Sequence, residues 1–224
     1  MHTFTREGAG PVTTAIANVV VAGMTARDEA AIRHHLEEMK ELGVRMPSVF
    51  PFFFRVSAGL LTQDERVQVI GTDSSGEVEP VIVALEDGLW LTVGSDHTDR
   101  KVEAYSINVS KQMCPHPIGR QLWRLADVAA HWDRLVVRSW TTRAGTRELY
   151  QEGPLALMRD PADLIGRYER SGGRIAPSTV LYCGTIGAKG PLAHADLFEM
   201  ELEDPVRARR IGHRYAIEAL PVLN

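Results

Sequence analysis

The sequence of 224 residues has few of the features that mark secreted, membrane or nucleic-acid-binding proteins. It contains only two cysteines, Cys114 and Cys183, which lack the spacing of a metal site or a disulfide framework. No stretch approaches the roughly 18 consecutive apolar residues that a membrane-spanning helix needs. The net charge is -4 with both signs interspersed, so no basic surface for nucleic acid is expected. We therefore predict a cytoplasmic globular protein without a membrane or nucleic-acid partner.

Short apolar runs bounded by turn residues predict more strands than helices. One helix is predicted from Thr25, as the N-cap residue, to Leu42, and a second begins at Asp160-Pro161 and ends at Gly172. Residues 1–17 show no clear pattern and are predicted to be loosely structured. The predicted strands cover residues 19–23, 52–56, 67–70, 78–85, 89–93, 135–141, 179–185, 197–202 and 213–222. Because strands and helices do not alternate regularly, we predict an α+β fold with a mainly antiparallel sheet.

A β-hairpin is predicted where Asp87-Gly88 joins two apolar runs, since Asp-Gly is a strong hairpin signal. With these two residues as the loop, counting back along the strands places Glu79 opposite Asp96. Side chains alternate between the two faces of a strand, so Glu77 shares a face with Glu79. The three carboxylates are therefore predicted to lie close together, although Glu-x-Glu alone is a common pattern.

Three carboxylates on one face of a sheet need compensation. Like charges that face each other across a sheet destabilise it, and buried carboxylates must be protonated, paired or bound to a metal. A hard divalent cation with oxygen ligands removes the conflict, which points to Mg²⁺, Mn²⁺ or Ca²⁺. The alternative is a hairpin end at which the charges separate into water.

The predicted N-terminal helix carries histidine and glutamate at helical spacing. His35 and Glu38 are three residues apart and are therefore neighbours on a helix surface. A carboxylate beside an imidazole orients the ring and raises its basicity, so this pair could deprotonate water. His34 with Glu37 or Glu38 is an equally permitted pair, and a solvated helix face is the simpler interpretation of the spacing alone.

Seven segments stand out when the motifs are read in chain order. They are His35-Leu36-Glu37-Glu38, Pro47 to Pro51, Phe53-Phe54-Arg55, Glu77-Val78-Glu79, Ser95 to Arg100, Lys111 and Gly184 to Gly190. Each motif is weak alone, but their shared order is fairly specific, and it resembles that of the fumarylacetoacetate hydrolase superfamily. The resemblance covers roughly residues 20–200 and points to a branch apart from the well-known enzymes of the superfamily.

The resemblance implies a mixed β-roll with a few peripheral helices, and a homodimer. Residues 1–60 would form an N-terminal segment, with a strand and the His-Glu helix, packed on a catalytic β-roll domain of residues 61–224. The same resemblance implies that Glu77, Glu79 and Asp96 hold Mg²⁺ or Mn²⁺.

Roles for further residues follow from the same resemblance. The lysine that matches Lys111 lies near metal and substrate, and the threonine of Gly184-Thr185 binds the carboxylate end of the substrate. His35 and Glu38 match a pair that activates water or handles a proton. Arg55 stands where the family commonly has lysine, and it could clamp a carboxylate through two parallel hydrogen bonds.

The expected function is that of a divalent-metal-dependent hydrolase, which would cleave a carbon–carbon bond in a small acylpyruvate-like 2-oxo acid. The metal and Lys111 would stabilise the enolate charge. A decarboxylase, hydratase or tautomerase of a 2-oxo acid could use the same enolate. The alternative of another class is a non-catalytic protein that binds a small acid through a metal, since a family resemblance does not establish activity.

Overall fold

The computed structural model describes residues 1–30, 32 and 49–223. The strands are β1 His2–Arg6, β2 Gly10–Thr14, β3 Asn18–Gly23, β4 Phe52–Val56, β5 Leu61–Thr62, β6 Arg66–Ile70, β7 Ser74–Ser75, β8 Val78–Leu85, β9 Gly88–Ser95, β10 Thr98–Asp99, β11 His116–Pro117, β12 Gln121–Arg124, β13 Val136–Arg143, β14 Thr146–Pro154, β15 Thr179–Tyr182, β16 Leu197–Asp204 and β17 Arg209–Leu220. The α-helices are α1 Arg100–Tyr105, α2 Ile107–Met113 and α3 Pro161–Arg170, and short 3₁₀ helices cover Ala58–Leu60, Leu125–Asp127, Ala129–Arg134 and Leu155–Leu157.

Two β-sheets form the body of the described chain. The larger sheet has eight strands in the order β2-β1-β12-β9-β8-β15-β3-β4, and the smaller has five in the order β14-β13-β16-β17-β6. Most neighbouring strands are antiparallel, while β1 with β12, β15 with β3 and β17 with β6 are parallel. The predicted α+β class with a mainly antiparallel sheet is therefore confirmed. None of the helices in the described stretches is both long and apolar enough to cross a lipid bilayer.

Strand β8 lies at the centre of the larger sheet and is buried along its whole length. Ile82 belongs to an apolar cluster built from residues of both sheets, whereas Val81 and Val83 belong to a second cluster on the opposite face. Burial on both faces explains the continuous apolar run of this strand. Full burial of each such side chain is worth about 1.5–3 kcal/mol. Glu79 interrupts the apolar run, and its burial therefore needs a specific reason.

The predicted strands overlap those of the structure, and two of them, Phe52–Val56 and Val78–Leu85, agree at both ends. The N-terminal prediction was wrong, because His2–Arg6 and Gly10–Thr14 form an antiparallel hairpin. Contacts with the rest of the chain stabilise this hairpin, since Phe4 is fully buried and β1 pairs in parallel with β12. A contact that distant in sequence leaves no local pattern.

The first predicted helix begins later than its pattern indicates. Helical residues start at Glu29, and the Asp28 carboxylate accepts the Ala30 N–H at 3.0 Å, so Thr25 is not the N-cap. Thr25 is instead buried. The rest of the predicted helix, to Leu42, lies outside the described residues apart from Ile32. The second helix agrees with its prediction, since Asp160 accepts the Asp163 N–H and proline opens the first turn.

Candidate metal centre

The β8–β9 hairpin turns one residue earlier than predicted. Its loop is Glu86-Asp87, so Glu79 pairs with Gly94, and the Asp96 N–H donates to the Glu77 carbonyl at 3.0 Å. The predicted pairing of Glu79 with Asp96 was therefore wrong by two residues. Because two residues are one full period of side-chain alternation, the predicted face is nevertheless correct.

The three carboxylates converge at the open end of this hairpin. One oxygen from each of Glu77, Glu79 and Asp96 lies within 4.8 Å of the other two. Glu79 and Asp96 are each 2% exposed, whereas Glu77 is only partly buried. The cluster therefore offers three oxygen donors from one side, and hard divalent cations prefer such ligands.

Glu79 has the least compensated charge of the three. Its Oε2 accepts the Gly184 N–H at 2.7 Å, and no cation of the described residues forms an ion pair with it. Burial, with Asp96 and Glu77 nearby, raises the pKa of Glu79 well above its usual value. A buried anion without a cationic partner is costly. The donor set and the missing positive charge together fit a bound divalent cation.

Asp96 is paired with a buried lysine. The Lys111 ammonium donates to Asp96 Oδ2 at 2.5 Å and to Thr98 Oγ1 at 3.0 Å. Burial alone would raise the pKa of Asp96, but Lys111 and His116 outweigh it and lower that pKa. Burial opposes the charge of Lys111, yet Asp96 and the nearby Glu77 and Glu103 raise its pKa above the usual value. Lys111 therefore remains an ammonium ion at neutral pH.

Glu77 has a different cationic partner. Arg100 at the start of α1 approaches Glu77 Oε1 at 3.1 Å and Glu103 Oε2 at 2.8 Å, and it also donates to Ser75. Burial raises the pKa of Glu77, and Arg100 only partly offsets that effect. Asp99 sets this geometry, since its carboxylate caps α1 by accepting the Val102 N–H at 2.9 Å. The helix thus presents Arg100 and Glu103 to the cluster.

Gln151 ties the smaller sheet to the carboxylate cluster. Its side-chain oxygen accepts the Val78 N–H at 2.9 Å and the Ser139 hydroxyl at 3.0 Å. Its amide nitrogen donates to Thr185 Oγ1 at 2.8 Å and to the Ile186 carbonyl at 2.7 Å. This single side chain, 1% exposed, therefore couples the start of β8 to the segment that follows β15.

We expect Gln151→Ala to lower the free energy of unfolding by roughly 2–4 kcal/mol, because it leaves the buried Val78 N–H and Ile186 carbonyl without their side-chain hydrogen bonds. Urea denaturation measures the change. The matched control is Gln68→Ala, which removes an exposed amide that bonds Glu218 and should cost less than about 0.5 kcal/mol. Equal effects in the two variants would contradict the coupling assigned to Gln151.

A cavity of 680 Å³ opens over the carboxylates. Its wall brings together most of the site residues predicted from the sequence, namely Glu77, Glu79, Asp96, Lys111, Gly184 and Thr185. It also contains Arg100, which ends the matching segment Ser95 to Arg100 but was assigned no site role, and Glu103 and Gln151, which were not predicted. The volume is in the range of sites that enclose a small molecule.

Arg55 is the one predicted site residue within the described stretches that does not line this cavity. Arg55 is exposed and donates to Asn18, with its side chain outside the cavity wall. His35 and Glu38 lie outside the described residues, so the predicted proton-transfer pair stays a prediction. Thr185 does line the cavity, but its hydroxyl donates to the Val78 carbonyl at 2.7 Å.

Glu103, Gln151 and His116 lie in no motif that marks them as site residues. Glu103 lies in the short helix α1, where it contacts Arg100 at a spacing of three residues, and Gln151 lies in a strand of the smaller sheet. His116 is fully buried, and its Nε2 donates to the Lys111 carbonyl at 2.7 Å. Its position between two prolines is the one hint that the chain there is constrained. Gln151 reaches the site through contacts with residues far from it in sequence.

A family model matches residues 22–215 of the sequence, and it is described as a protein of unknown function, DUF2848. The chain belongs to the DUF2848 family. No curated protein matches this DUF2848 sequence.

Several solved structures share the fold of the DUF2848 chain. A protein from Yersinia pestis CO92 assigned to the fumarylacetoacetate hydrolase family is 19% identical, with a TM-score of 0.63 over 96% of this chain and 99% of that one. 2-Keto-3-deoxy-D-arabinonate dehydratase complexed with magnesium and 2,5-dioxopentanoate is 16% identical, with a TM-score of 0.67 over 92% and 74%. 5-Carboxymethyl-2-hydroxymuconate delta-isomerase from Mycobacterium smegmatis is 14% identical, with a TM-score of 0.63 over 93% and 80%.

The resemblance predicted from the motifs is thereby confirmed at the level of the fold. The DUF2848 chain has the α+β fold of the fumarylacetoacetate hydrolase type, with an acidic triad that could hold a metal. The similar structures include a dehydratase and an isomerase, and one of them contains magnesium.

Proposed function

We propose that this DUF2848 protein is a divalent-metal-dependent hydrolase that cleaves a carbon–carbon bond in a small acylpyruvate-like 2-oxo acid. The observation that carries the proposal is the convergence of Glu77, Glu79 and Asp96 within 4.8 Å beside the buried ammonium of Lys111. Mg²⁺ or Mn²⁺ is the expected ion, because all three donors are carboxylate oxygens.

The carboxylates and the lysine of the cluster have different roles. Glu77, Glu79 and Asp96 would hold the cation, which supplies Lewis-acid polarisation of the substrate oxygens when bound. Lys111 keeps its proton, so it supplies positive charge where the substrate oxo oxygen becomes negative rather than acting as a base. Asp96 and Thr98 hold that ammonium in place.

Hydrolysis consumes one water molecule. Its hydroxyl joins the acyl carbon, the bond to the neighbouring methylene carbon breaks, and that carbon gains a proton to become the methyl group of pyruvate. The His35–Glu38 pair would remove the proton from the attacking water. Arg100 and Lys111 stay protonated throughout and offset part of the carboxylate charge at the reacting end of the cavity.

A decarboxylase, a tautomerase, or a hydratase or its reverse, a dehydratase, of a 2-oxo acid is the alternative within the same site. It is favoured by the fold shared with 2-keto-3-deoxy-D-arabinonate dehydratase, whose structure contains magnesium and 2,5-dioxopentanoate. All of these reactions develop negative charge on the oxo oxygen, so Lys111 would have the same role in each.

Turnover of a panel of acylpyruvates and of oxaloacetate tests the proposal. The protein is assayed with Mg²⁺, with Mn²⁺ and with chelator, and the products separate hydrolysis from decarboxylation. We expect metal-dependent release of pyruvate and a carboxylic acid from an acylpyruvate. If no member of the panel reacts with either metal, the assignment as an enzyme of 2-oxo acids is wrong.

His35→Ala separates an enzyme from a non-catalytic metal-dependent binding protein. For an enzyme, we expect turnover to fall by about 10²–10⁴ through loss of proton transfer, while Mg²⁺ affinity changes less than twofold. The adjacent variant His34→Ala is the matched control and shows which histidine acts. If both variants keep full turnover, neither histidine is the proton-transfer group.

We also propose that the protein is a cytoplasmic homodimer, as the motif resemblance implies. Light scattering after gel filtration measures the molar mass, and a value near twice 24.8 kDa is expected. A monomer at micromolar concentration would contradict this part of the proposal.

A further inference from the structure

The cavity above the carboxylates has a second, aromatic end. Phe52 and Phe54 lie on one face of β4 and both line the cavity, with ring centroids 5.0 Å apart at an angle of 61°. Val21, which pairs with Phe54 on the neighbouring strand, lines the cavity beside them. This end therefore presents carbon surface, in contrast to the charged end.

The strand registers relate the two ends to each other. Val81, Tyr182, Val21 and Phe54 pair in one row across β8, β15, β3 and β4. Glu79 and Phe52 each lie two residues from this row at the same end of the sheet and on the same face. Gly23 pairs with Phe52, and the Gly184 N–H, two residues after β15, donates to Glu79. Three strand spacings separate the ends of the row by about 14 Å.

Gly23 and Gly184 bring the aromatic end closer to the charged end. A Cβ atom at Gly23 would lie 2.0 Å from the Phe52 ring, so that ring occupies the space above Gly23. A Cβ atom at Gly184 would lie 2.0 Å from the Thr25 hydroxyl oxygen, which occupies the space above Gly184. The Phe52 ring thus reaches across β3, which leaves about two strand spacings, on the order of 10 Å, to Glu79.

The cations of the cavity are all at the carboxylate end. Among the described residues of its wall, only Arg100 and Lys111 carry positive charge. Arg100 pairs with Glu77 and Glu103, and Lys111 pairs with Asp96. Neither is available to neutralise an anionic group at the aromatic end. A carboxylate placed there would lose water without gaining a cationic partner from the part of the chain that the structure describes, which is costly.

We infer that the substrate joins a single metal-binding oxo acid head to an uncharged apolar tail. This inference rests on the proposed function for the head group and adds the chemistry of the remainder. The tail lies beside Thr25 and ends against Phe52 and Phe54. The 680 Å³ of the cavity is far more than a pyruvate-sized head needs, and apolar surface is the usual lining of such sites. Among the described residues of the cavity wall, no cation would balance a second carboxylate at the end of the tail.

A matched series of ligands tests the tail. Calorimetry with the Mg²⁺-loaded protein compares pyruvate, 2-oxohexanoate and 2-oxoadipate, the last two differing in a terminal methyl or carboxylate group. Each buried methylene is worth about fourfold in affinity, so 2-oxohexanoate should bind on the order of 60-fold more tightly than pyruvate. 2-Oxoadipate should bind no more tightly than pyruvate.

Two variants locate the tail. Phe54→Ala should weaken the binding of 2-oxohexanoate about tenfold by removing apolar contact, and it should change the affinity for pyruvate by less than about twofold. Phe54→Arg places a cation at the same position and should reverse the preference, so that 2-oxoadipate binds more tightly than 2-oxohexanoate. Leu149→Ala, which removes a partly exposed side chain from the smaller sheet, is the control and should change neither affinity.

The outcomes separate this inference from the proposed function. If pyruvate does not bind in the presence of Mg²⁺ or Mn²⁺, the proposed head-group site is wrong, and the inference about the tail is wrong as well. Suppose that pyruvate binds, but that the affinity for 2-oxohexanoate exceeds that for pyruvate by less than threefold, or that 2-oxoadipate binds more tightly than 2-oxohexanoate. The apolar tail is then refuted, and the proposed function stands.

Discussion

Replacing Glu79 by glutamine is expected to weaken Mg²⁺ binding at least about 100-fold and to remove metal-dependent turnover. The variant keeps the size of the side chain and an oxygen that can accept the Gly184 N–H, but it removes the charge least compensated by the protein. Losing an outer partner of a metal ligand already costs 10–100-fold, so loss of a direct ligand costs at least as much.

Thermal denaturation measures this effect without any substrate. In the wild type, Mg²⁺ at 100 times its Kd should stabilise the fold by about 2.7 kcal/mol, which raises Tm by about 5–11 °C. In Glu79→Gln the rise at the same Mg²⁺ concentration should fall to about 1–2 °C or less, while Tm in chelator stays the same or increases because a buried charge has been removed.

Glu86→Gln is the matched control. Glu86 is exposed in the loop of the same hairpin, so its variant should bind Mg²⁺ like the wild type. If Glu79→Gln retains wild-type affinity, the three carboxylates are not the metal centre.

Replacing Lys111 by methionine is expected to destabilise the metal-free protein by about 3–5 kcal/mol, because it leaves Asp96 buried without its ammonium partner. The two side chains are 7% and 2% exposed, so solvent screens this ion pair little. A bound divalent cation restores positive charge beside Asp96. The loss in free energy of unfolding should therefore be large in chelator and smaller in Mg²⁺, whereas turnover should stay low in both.

Urea denaturation in chelator and in Mg²⁺ measures the two losses. Lys101→Met on α1 is the control, since Lys101 is exposed and its loss should change stability by less than about 0.5 kcal/mol. A loss of the same size with and without Mg²⁺ would mean that the cation does not bind beside Asp96.

The carboxylate cluster was predictable because side-chain alternation tolerates an error of two residues in register. Counting from the wrong loop still placed Glu77, Glu79 and Asp96 on one face, although it paired the wrong residues. An error of one residue would have moved Asp96 to the opposite face. The prediction therefore depended on whether residues are an odd or an even number of positions apart, which the sequence contains, and not on the exact position of the turn.

The supporting residues were not predictable in this way. Gln151 reaches Val78 and Thr185 from the other sheet, and Glu103 reaches Arg100 because Asp99 starts a helix there. The N-terminal hairpin likewise exists because β12 pairs with it. The contacts of Gln151 and of the N-terminal hairpin join residues whose relative position follows from how the strands and sheets pack, whereas Arg100 and Glu103 meet within one turn of α1.

The amino-acid sequence by itself determined the α+β class, most of the strands, the shared face of the three carboxylates and the family likeness, because these depend on periodicity and on the order of motifs. Only the tertiary structure decided that Glu79 lacks a cationic partner among the described residues and that Lys111 is paired. It also decided that Phe52 lies on the same face and at the same end of the sheet as Glu79. Charge compensation and cavity shape arise between strands that are distant in sequence, and their register and packing are set by the whole fold.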